Sequence, residues 1–305
     1  MIQKGCSKLN NIGFIGVGAM GQWMVRNLMT SNNNLYIYDN NPEMLSSFEG
    51  TDVKIVHSLK EIAGKCENII MMLPNSNIVE EVVNGEEGLA NSLNAGSVLI
   101  DMSSSYPLST QKMETVLAER GIKFFDAPVS GGVKKAKEGT LTVMVGGEES
   151  YFEKIKLLLE PIGSNIKYIG KVGSGHSLKA INNYLSASSM YATAEAMMLA
   201  QKMGIKLDVA LDTINESTGS SHSTSFKYPT YVLPKTYNSN FSLRLHLKDI
   251  KITKDLASDL NMPMLLGSSL VEVYEAANRL GGDDQDHTEI IRFLESIAGE
   301  ELDEY

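Results

Sequence analysis

Ile12-Gly13-Phe14-Ile15-Gly16-Val17-Gly18-Ala19-Met20-Gly21 joins a short β-branched and aromatic run to glycines spaced G-x-G-x-x-G. The residues that follow carry the apolar spacing of an amphipathic helix, so the stretch reads as a strand, a tight turn and a helix start. Each glycine has a physical task. Gly16 permits the turn, Gly18 lets the backbone approach a pyrophosphate, and Gly21 allows the helix to pack closely on the strand, with Ala19 and Met20 lying between them. The helix N-terminus adds unpaired N–H groups and the positive end of its dipole. Alone, this pattern can also be a glycine-rich turn that holds nothing.

Asp39 strengthens the reading, because it ends the second strand about 20 residues on, where a carboxylate accepts hydrogen bonds from the adenosine ribose of a dinucleotide. The following Asn40-Asn41-Pro42 offers no cation for a 2′-phosphate, and Asp39 would repel one. NAD is therefore favoured over NADP.

Outward from this unit, strand-like runs at Ile12–Ile15, Leu35–Tyr38, Ile69–Leu73, Val98–Asp101 and Lys123–Asp126 alternate with helical stretches. Most are continuously apolar, as strands buried on both faces are. Leu141–Val145 and Ile166–Ile169 are expected to extend the same sheet. After Gly173 helical periodicity takes over, with one long helix expected over Ser174–Met203, Ser174 as its N-cap, and shorter helices near Leu207–Ile214, Leu247–Leu260, Met264–Leu280 and Thr288–Ala298. The expected fold class is α/β, with a Rossmann-like doubly wound domain over 11–173 and an all-helical domain over 174–298 entered by the long helix. The acidic end from Glu300 to Tyr305 is expected to fray.

Composition narrows the classes of function. Thirty-seven acidic against 27 basic side chains give a net charge of −10, which disfavours nucleic acid, and the short Lys134-Lys135-Ala136-Lys137 run is no basic patch. Cys6 and Cys66 lack metal or redox spacing and read as thiols of a reducing compartment. No apolar run is long enough to span a bilayer, and the N-terminal segment has no apolar signal core, so a cytoplasmic protein is expected; a precursor trimmed of a transit peptide would look the same. No His or carboxylate pair has metal-site spacing.

Two further turns lie at carboxyl ends of strands, Leu73-Pro74-Asn75 and Asp101-Met102-Ser103-Ser104. Together with Asp126-Ala127-Pro128-Val129-Ser130-Gly131-Gly132, Gly175-His176-Ser177-Leu178-Lys179-Ala180-Ile181-Asn182-Asn183 and Lys248-Asp249, they make the chain resemble the 3-hydroxyisobutyrate dehydrogenase, or β-hydroxyacid dehydrogenase, family from about Asn11 to about Phe293. The resemblance implies that Lys179 is the catalytic acid/base and that Asn183 helps hold substrate. It further implies that Ser130, Gly131 and Gly132 form a carboxylate-binding loop, and that Leu73, Pro74, Ser104 and Lys248 contact the cofactor. Ser104 departs from the family's common threonine but keeps the hydroxyl.

The residues can support that chemistry. Gly175, Lys179 and Asn183 recur every four residues and share one helical face, and glycine at 175 is read as leaving room for a ligand. Oxidising an alcohol needs a group that accepts the hydroxyl proton and returns it in the reverse direction, and a lysine shielded from water beside a positive nicotinamide gives up its own proton more readily. Ser130-Gly131-Gly132 can offer backbone N–H groups and a hydroxyl to a carboxylate. His176 is given no catalytic role. The bland alternatives are a Lys179 reaching to water, a core amide at Asn183, a Lys248 paired with Asp249, and a flexible turn at 130–132.

The expected function is NAD-dependent transfer of a hydride from the β-hydroxyl of a small 3-hydroxy acid, in a homodimer or homotetramer. The apolar length of the long helix motivates the assembly. Competing readings are a reductase of tartronate semialdehyde, succinate semialdehyde or a sulfonated aldehyde, and a non-catalytic NAD-binding scaffold, against which Lys179 and Asn183 argue. A larger decarboxylating sugar-phosphate dehydrogenase is disfavoured by length and by the lack of an arginine cluster.

Overall fold

The computed structural model describes residues 11–282 and 285–303; Cys6 and the last tail residues, Glu304 and Tyr305, lie outside them. Two compact units divide the chain, Met1–Lys179 and Ala180–Tyr305.

In the first unit the strands are β1 (Asn11–Ile15), β2 (Asn34–Tyr38), β3 (Lys54–Ile55), β4 (Asn68–Met71), β5 (Val98–Asp101), β6 (Lys123–Asp126), β7 (Val129–Ser130), β8 (Thr142–Gly146) and β9 (Asn165–Gly170). Their order is β3-β2-β1-β4-β5-β6-β8-β7, with β9 beside β8. From β3 to β6 all pairs are parallel, whereas β8 joins β6 and β7 antiparallel and β9 parallel. The expected extension of the sheet is therefore present, with one reversal of direction.

Successive residues of a strand face opposite sides, and here both sides are apolar cores. Ile70, Ile100 and Phe125 enter one core with Phe14 and Ile37, while their neighbours Ile69, Leu99 and Phe124 enter the other with Ile15 and Met71. That double burial is why the runs carry so little polar alternation. The chain winds outward from β1 in both directions, to β2 on one side and β4 on the other, so the crevice over the carboxyl ends of β1 and β4 is the switch point where such sheets receive ligands. Met72 N donates to Ile15 O at 2.9 Å and joins the two strand ends there.

A helix of 29 residues, Ser174–Lys202, carries the chain onward. In the second unit helices Leu207–Asn215, Leu243–Asp259, Leu265–Gly281 and Ile290–Ala298 surround a core that includes Met190, Met197, Tyr228, Ile250 and Tyr274. Leu243–Asp259 begins a turn before the expected Leu247, because Ser242 caps it by accepting from Leu245 N. Ser223–Val232 is wound as a π-helix with Pro229 inside, an element outside the sequence expectation; proline removes a donor and crowds the preceding turn of an α-helix, which a wider coil relieves. The tail does not fray over its described length: Leu302 is 3% exposed, Leu302 N donates to Glu295, Asp303 N donates to Gln201, and Glu300 pairs with Lys202. Among the described residues, no helix is long and apolar enough to cross a membrane.

Candidate active site

The glycine turn has the shape its sequence demands. Gly16 takes φ +92°, and a Cβ there would lie 2.3 Å from Met72 O; at Gly21 it would lie 1.9 Å from Gly16 O. At Gly18 a Cβ would meet nothing within 4 Å, so this backbone faces open space while its two neighbours are locked by packing. Asp39 serves the turn directly, Oδ2 accepting from Val17 N at 2.8 Å and Oδ1 from Asn41 N at 2.9 Å. Beside it is a cavity of about 410 Å³ lined by Tyr38, Asp39, Asn40, Pro42, Ile55 and His57 among others. Turn, carboxylate and cavity fit the pyrophosphate, ribose and adenine of a dinucleotide in that order.

The other two turns of the crevice are tied together. Leu73 N donates to Ser103 Oγ at 2.9 Å, and Asp101 accepts from Ser103 N and Ser105 Oγ, both at 2.9 Å. Leu73, Pro74 and Ser104 thus stand on loops joined through Ser103, which the sequence reading quoted within its turn but gave no role of its own.

The start of the long helix is held by the same apparatus. Asp126, fully buried at the end of β6, accepts from Gly173 N and His176 N at 2.7 Å each, so it supplies the cap expected of Ser174. The His176 ring meets Thr110 Oγ1 at 2.9 Å and Ser103 O at 3.0 Å, linking the helix that carries Lys179 to the loop that carries Ser104. Gly175 has a different reason from the one expected: a Cβ would lie 2.2 Å from Met144 O and 2.8 Å from Asp126 Oδ2. Glycine is needed for close packing of the helix start on β8 and β6. Lys179, half-buried, follows one turn later.

Ser130 ends β7, and Gly131 and Gly132 both take positive φ, +134° and +67°. A positive φ suits glycine, and turns of this kind are among those from which anion-binding concavities are built. A Cβ at Gly132 would meet nothing within 4 Å.

The second unit holds Asn183 and Lys248. Asn183 is 6% exposed and donates through Nδ2 to Asp249 Oδ2 at 2.5 Å, while its backbone carbonyl meets His246 Nε2 at 3.1 Å. Lys248 Nζ stands 3.5 Å from Asp249 Oδ1. The bland contacts of both residues are thus real, and they also fix the Asn183 amide, with one Nδ2 hydrogen left uncommitted among the described residues. Asn183 lies one turn beyond Lys179 on the same helix. Asp249 was quoted in sequence only as a neighbour of Lys248, and nothing in the local pattern reveals its bond to Asn183.

Among the described residues no group of three or more His, Cys, Asp or Glu is placed to hold a metal ion. Cys66 is buried and its thiol is pushed up to about 12 by burial, with Lys54 opposing, so it is inert.

Known proteins resemble this chain over most of its length. The model of the NAD-binding domain of 6-phosphogluconate dehydrogenase matches residues 11–170, and that described as NAD-binding of NADP-dependent 3-hydroxyisobutyrate dehydrogenase matches 173–294. The 2-(hydroxymethyl)glutarate dehydrogenase of Eubacterium barkeri is 35% identical over 94% of this chain and 96% of its own. The mitochondrial 3-hydroxyisobutyrate dehydrogenase of Homo sapiens is 36% identical over 93% and 86%. The 3-hydroxyisobutyrate dehydrogenase of Mycobacterium tuberculosis, solved with L-serine, superposes with a TM-score of 0.88 at 28% identity, covering 94% of this chain and 99% of that one.

Proposed function

Because the chain belongs to the 3-hydroxyisobutyrate dehydrogenase family of NAD(P)-dependent oxidoreductases, we propose that it oxidises the β-hydroxyl of a small 3-hydroxy acid, with Lys179 carrying the proton. The observation that carries the reading is the pinned start of the long helix. Asp126 and His176 hold it to the loop of Ser104, so Lys179 is placed relative to the cofactor loops by buried hydrogen bonds.

In this reading residues 11–173 bind NAD and residues 174–298 complete the substrate site. Gly16, Gly18, Ala19, Met20 and Gly21 receive the pyrophosphate, Asp39 the ribose, and Leu73, Pro74, Ser104 and Lys248 the remainder of the cofactor. Asp39 selects NAD over NADP by repelling a 2′-phosphate. The bound nicotinamide supplies the acceptor for hydride. Ser130, Gly131 and Gly132 hold the substrate carboxylate, and Asn183 donates its uncommitted amide hydrogen to the substrate oxygen. Lys179 takes the hydroxyl proton as the carbon–hydrogen bond breaks, and returns it when an aldehyde acid is reduced.

The relatives' names cover substrates with one carboxylate, 3-hydroxyisobutyrate, and with two, 2-(hydroxymethyl)glutarate; both keep the hydroxyl on the carbon β to a carboxylate. Leu178, Ile181 and Leu185, at 37, 42 and 61% exposure, form an apolar stripe on the long helix that supports a homodimer or homotetramer. Replacing Lys179→Ala is expected to lower turnover by about a hundredfold or more while NADH still binds, since acid–base groups contribute ~10²–10⁴. Near-normal turnover would remove Lys179 from the reaction.

A further inference from the structure

His287 is 4% exposed and stands where two segments of the second unit are clasped together. Leu243 N donates to Gln285 O at 2.7 Å, His287 N donates to Phe241 O at 2.8 Å, and Ser242 pairs with Asp286 between them as an antiparallel bridge. The clasp fixes the start of the helix Leu243–Asp259. That helix in turn holds Asn183, through His246 Nε2 on its carbonyl at 3.1 Å and Asp249 Oδ2 on its amide at 2.5 Å.

Hydrogen-bond counting places the proton of the His287 ring. Ser239 Oγ has one hydrogen, which Asp286 takes, with Oδ1 at 2.9 Å and Oδ2 at 2.8 Å. Around Nδ1 stand Ser239 Oγ at 2.9 Å, Phe241 O at 3.3 Å and Asp286 Oδ1 at 3.5 Å, so every partner there accepts and Nδ1 carries the hydrogen. Nε2 is then a bare lone pair, and among the described residues this buried atom has no hydrogen-bond partner. The ring is packed edge-on against Phe241 and His246, with centroids 5.4 and 5.0 Å away.

The surrounding charges do not compensate a proton added at Nε2. Asp286 already accepts from Ser239 Oγ, Thr288 N and Thr288 Oγ1, and it also favours the ammonium of Lys227. Glu289 is engaged by Asp286 N and Arg292 Nη1. A protonated His287 is thus a second buried cation against one carboxylate. Burial accordingly holds the His287 ring below the ordinary 6.5, with Asp286 opposing and Lys227 assisting. An unpaired charge in a dry interior is relieved by opening to water.

We propose that His287 is an acid-operated release: a proton taken up at Nε2 opens the Ser242–Asp286 bridge and frees the start of the helix that steadies Asn183. This goes beyond the reaction and holds whichever substrate the enzyme takes. Because the closed form binds the proton less well than the open one, closure is full above 6.5 and weakens as pH falls below it, until the closed form also titrates. One proton changes the open-to-closed ratio about tenfold per pH unit.

Hydrogen exchange of the intact protein without substrate, corrected for the intrinsic effect of pH on exchange, tests this. From pH 6.5 downwards, protection of the Leu243 and His287 amides is expected to fall about tenfold per pH unit, while that of β1 stays level. His287→Phe keeps a ring against Phe241 and His246 but has no Nε2, and His287→Gln is a second form that cannot titrate. In either, the fall should be absent. Protection that stays level in the unaltered protein overturns the proposal, as does a fall shared by β1 or one that persists in either variant. The unaltered protein supplies the first two of these outcomes even if both variants fail to fold. None of them bears on the dehydrogenase reading, which the NADH assay tests separately.

Discussion

In the unit that ends at Lys179, Asp101, Asp126 and His176 are sealed from water with their hydrogen bonding filled: each carboxylate accepts twice, and both ring nitrogens of His176 have partners. In the unit that begins at Ala180, Lys227 is almost as deeply buried, yet among the described residues a single hydroxyl answers its three donors. A filled polar network rigidifies and specifies one arrangement. An underfilled buried charge burdens the fold. The first cluster therefore reads as the frame that aims Lys179, the second as a cost that the fold carries.

The comparison breaks most visibly at Asp126. Asp126→Ala orphans the Gly173 and His176 N–H groups in a dry interior, and a loss of about 3–5 kcal/mol is expected in urea unfolding. A loss below about 1 kcal/mol would mean that the frame is not fixed by this carboxylate.

Lys227 should respond in the opposite sense. Lys227→Met is expected to raise stability by roughly 1–3 kcal/mol at neutral pH, because it removes an underpartnered buried charge. The folded lysine titrates at about 8 rather than the ordinary 10.5, so between those values the unfolded chain holds more protons and the unaltered protein regains stability as pH rises. The advantage of Lys227→Met should thus be full below 8 and shrink towards 10.5. Unfolding across that window in both proteins checks it; a variant that is less stable at neutral pH, or a gap that does not narrow, would show that the fold already compensates Lys227.

What was legible in sequence follows the same division. Val98–Asp101 and Lys123–Asp126 were read with their observed bounds, since double burial leaves apolar runs with sharp ends. β3 and β7 escaped because two residues carry no period. The turn of Gly16, Gly18 and Gly21 was legible because backbone geometry alone demands those glycines. Gly175 was misjudged because its neighbours, Met144 and Asp126, are distant in sequence. Lys227 gave no signal either, as its segment follows neither the helical nor the strand period and its partner Ser186 lies 41 residues away. Charge suggested a loose tail at Glu300, whereas the single apolar Leu302 docks it.

NADH absorbance with the unaltered enzyme is the direct test of the reaction itself. Anchored on Ser130-Gly131-Gly132, a 3-hydroxy acid presents its hydroxyl two carbon–carbon bonds from the carboxylate, and a 2-hydroxy acid falls one bond short of Lys179. A misplacement of ~1 Å can lower rate about a hundredfold. With NAD, 3-hydroxy acids should outrun lactate and a simple alcohol by about that factor, and NADP should serve less well. Lactate or a plain alcohol outrunning every 3-hydroxy acid would contradict the assignment of both the loop and the reaction.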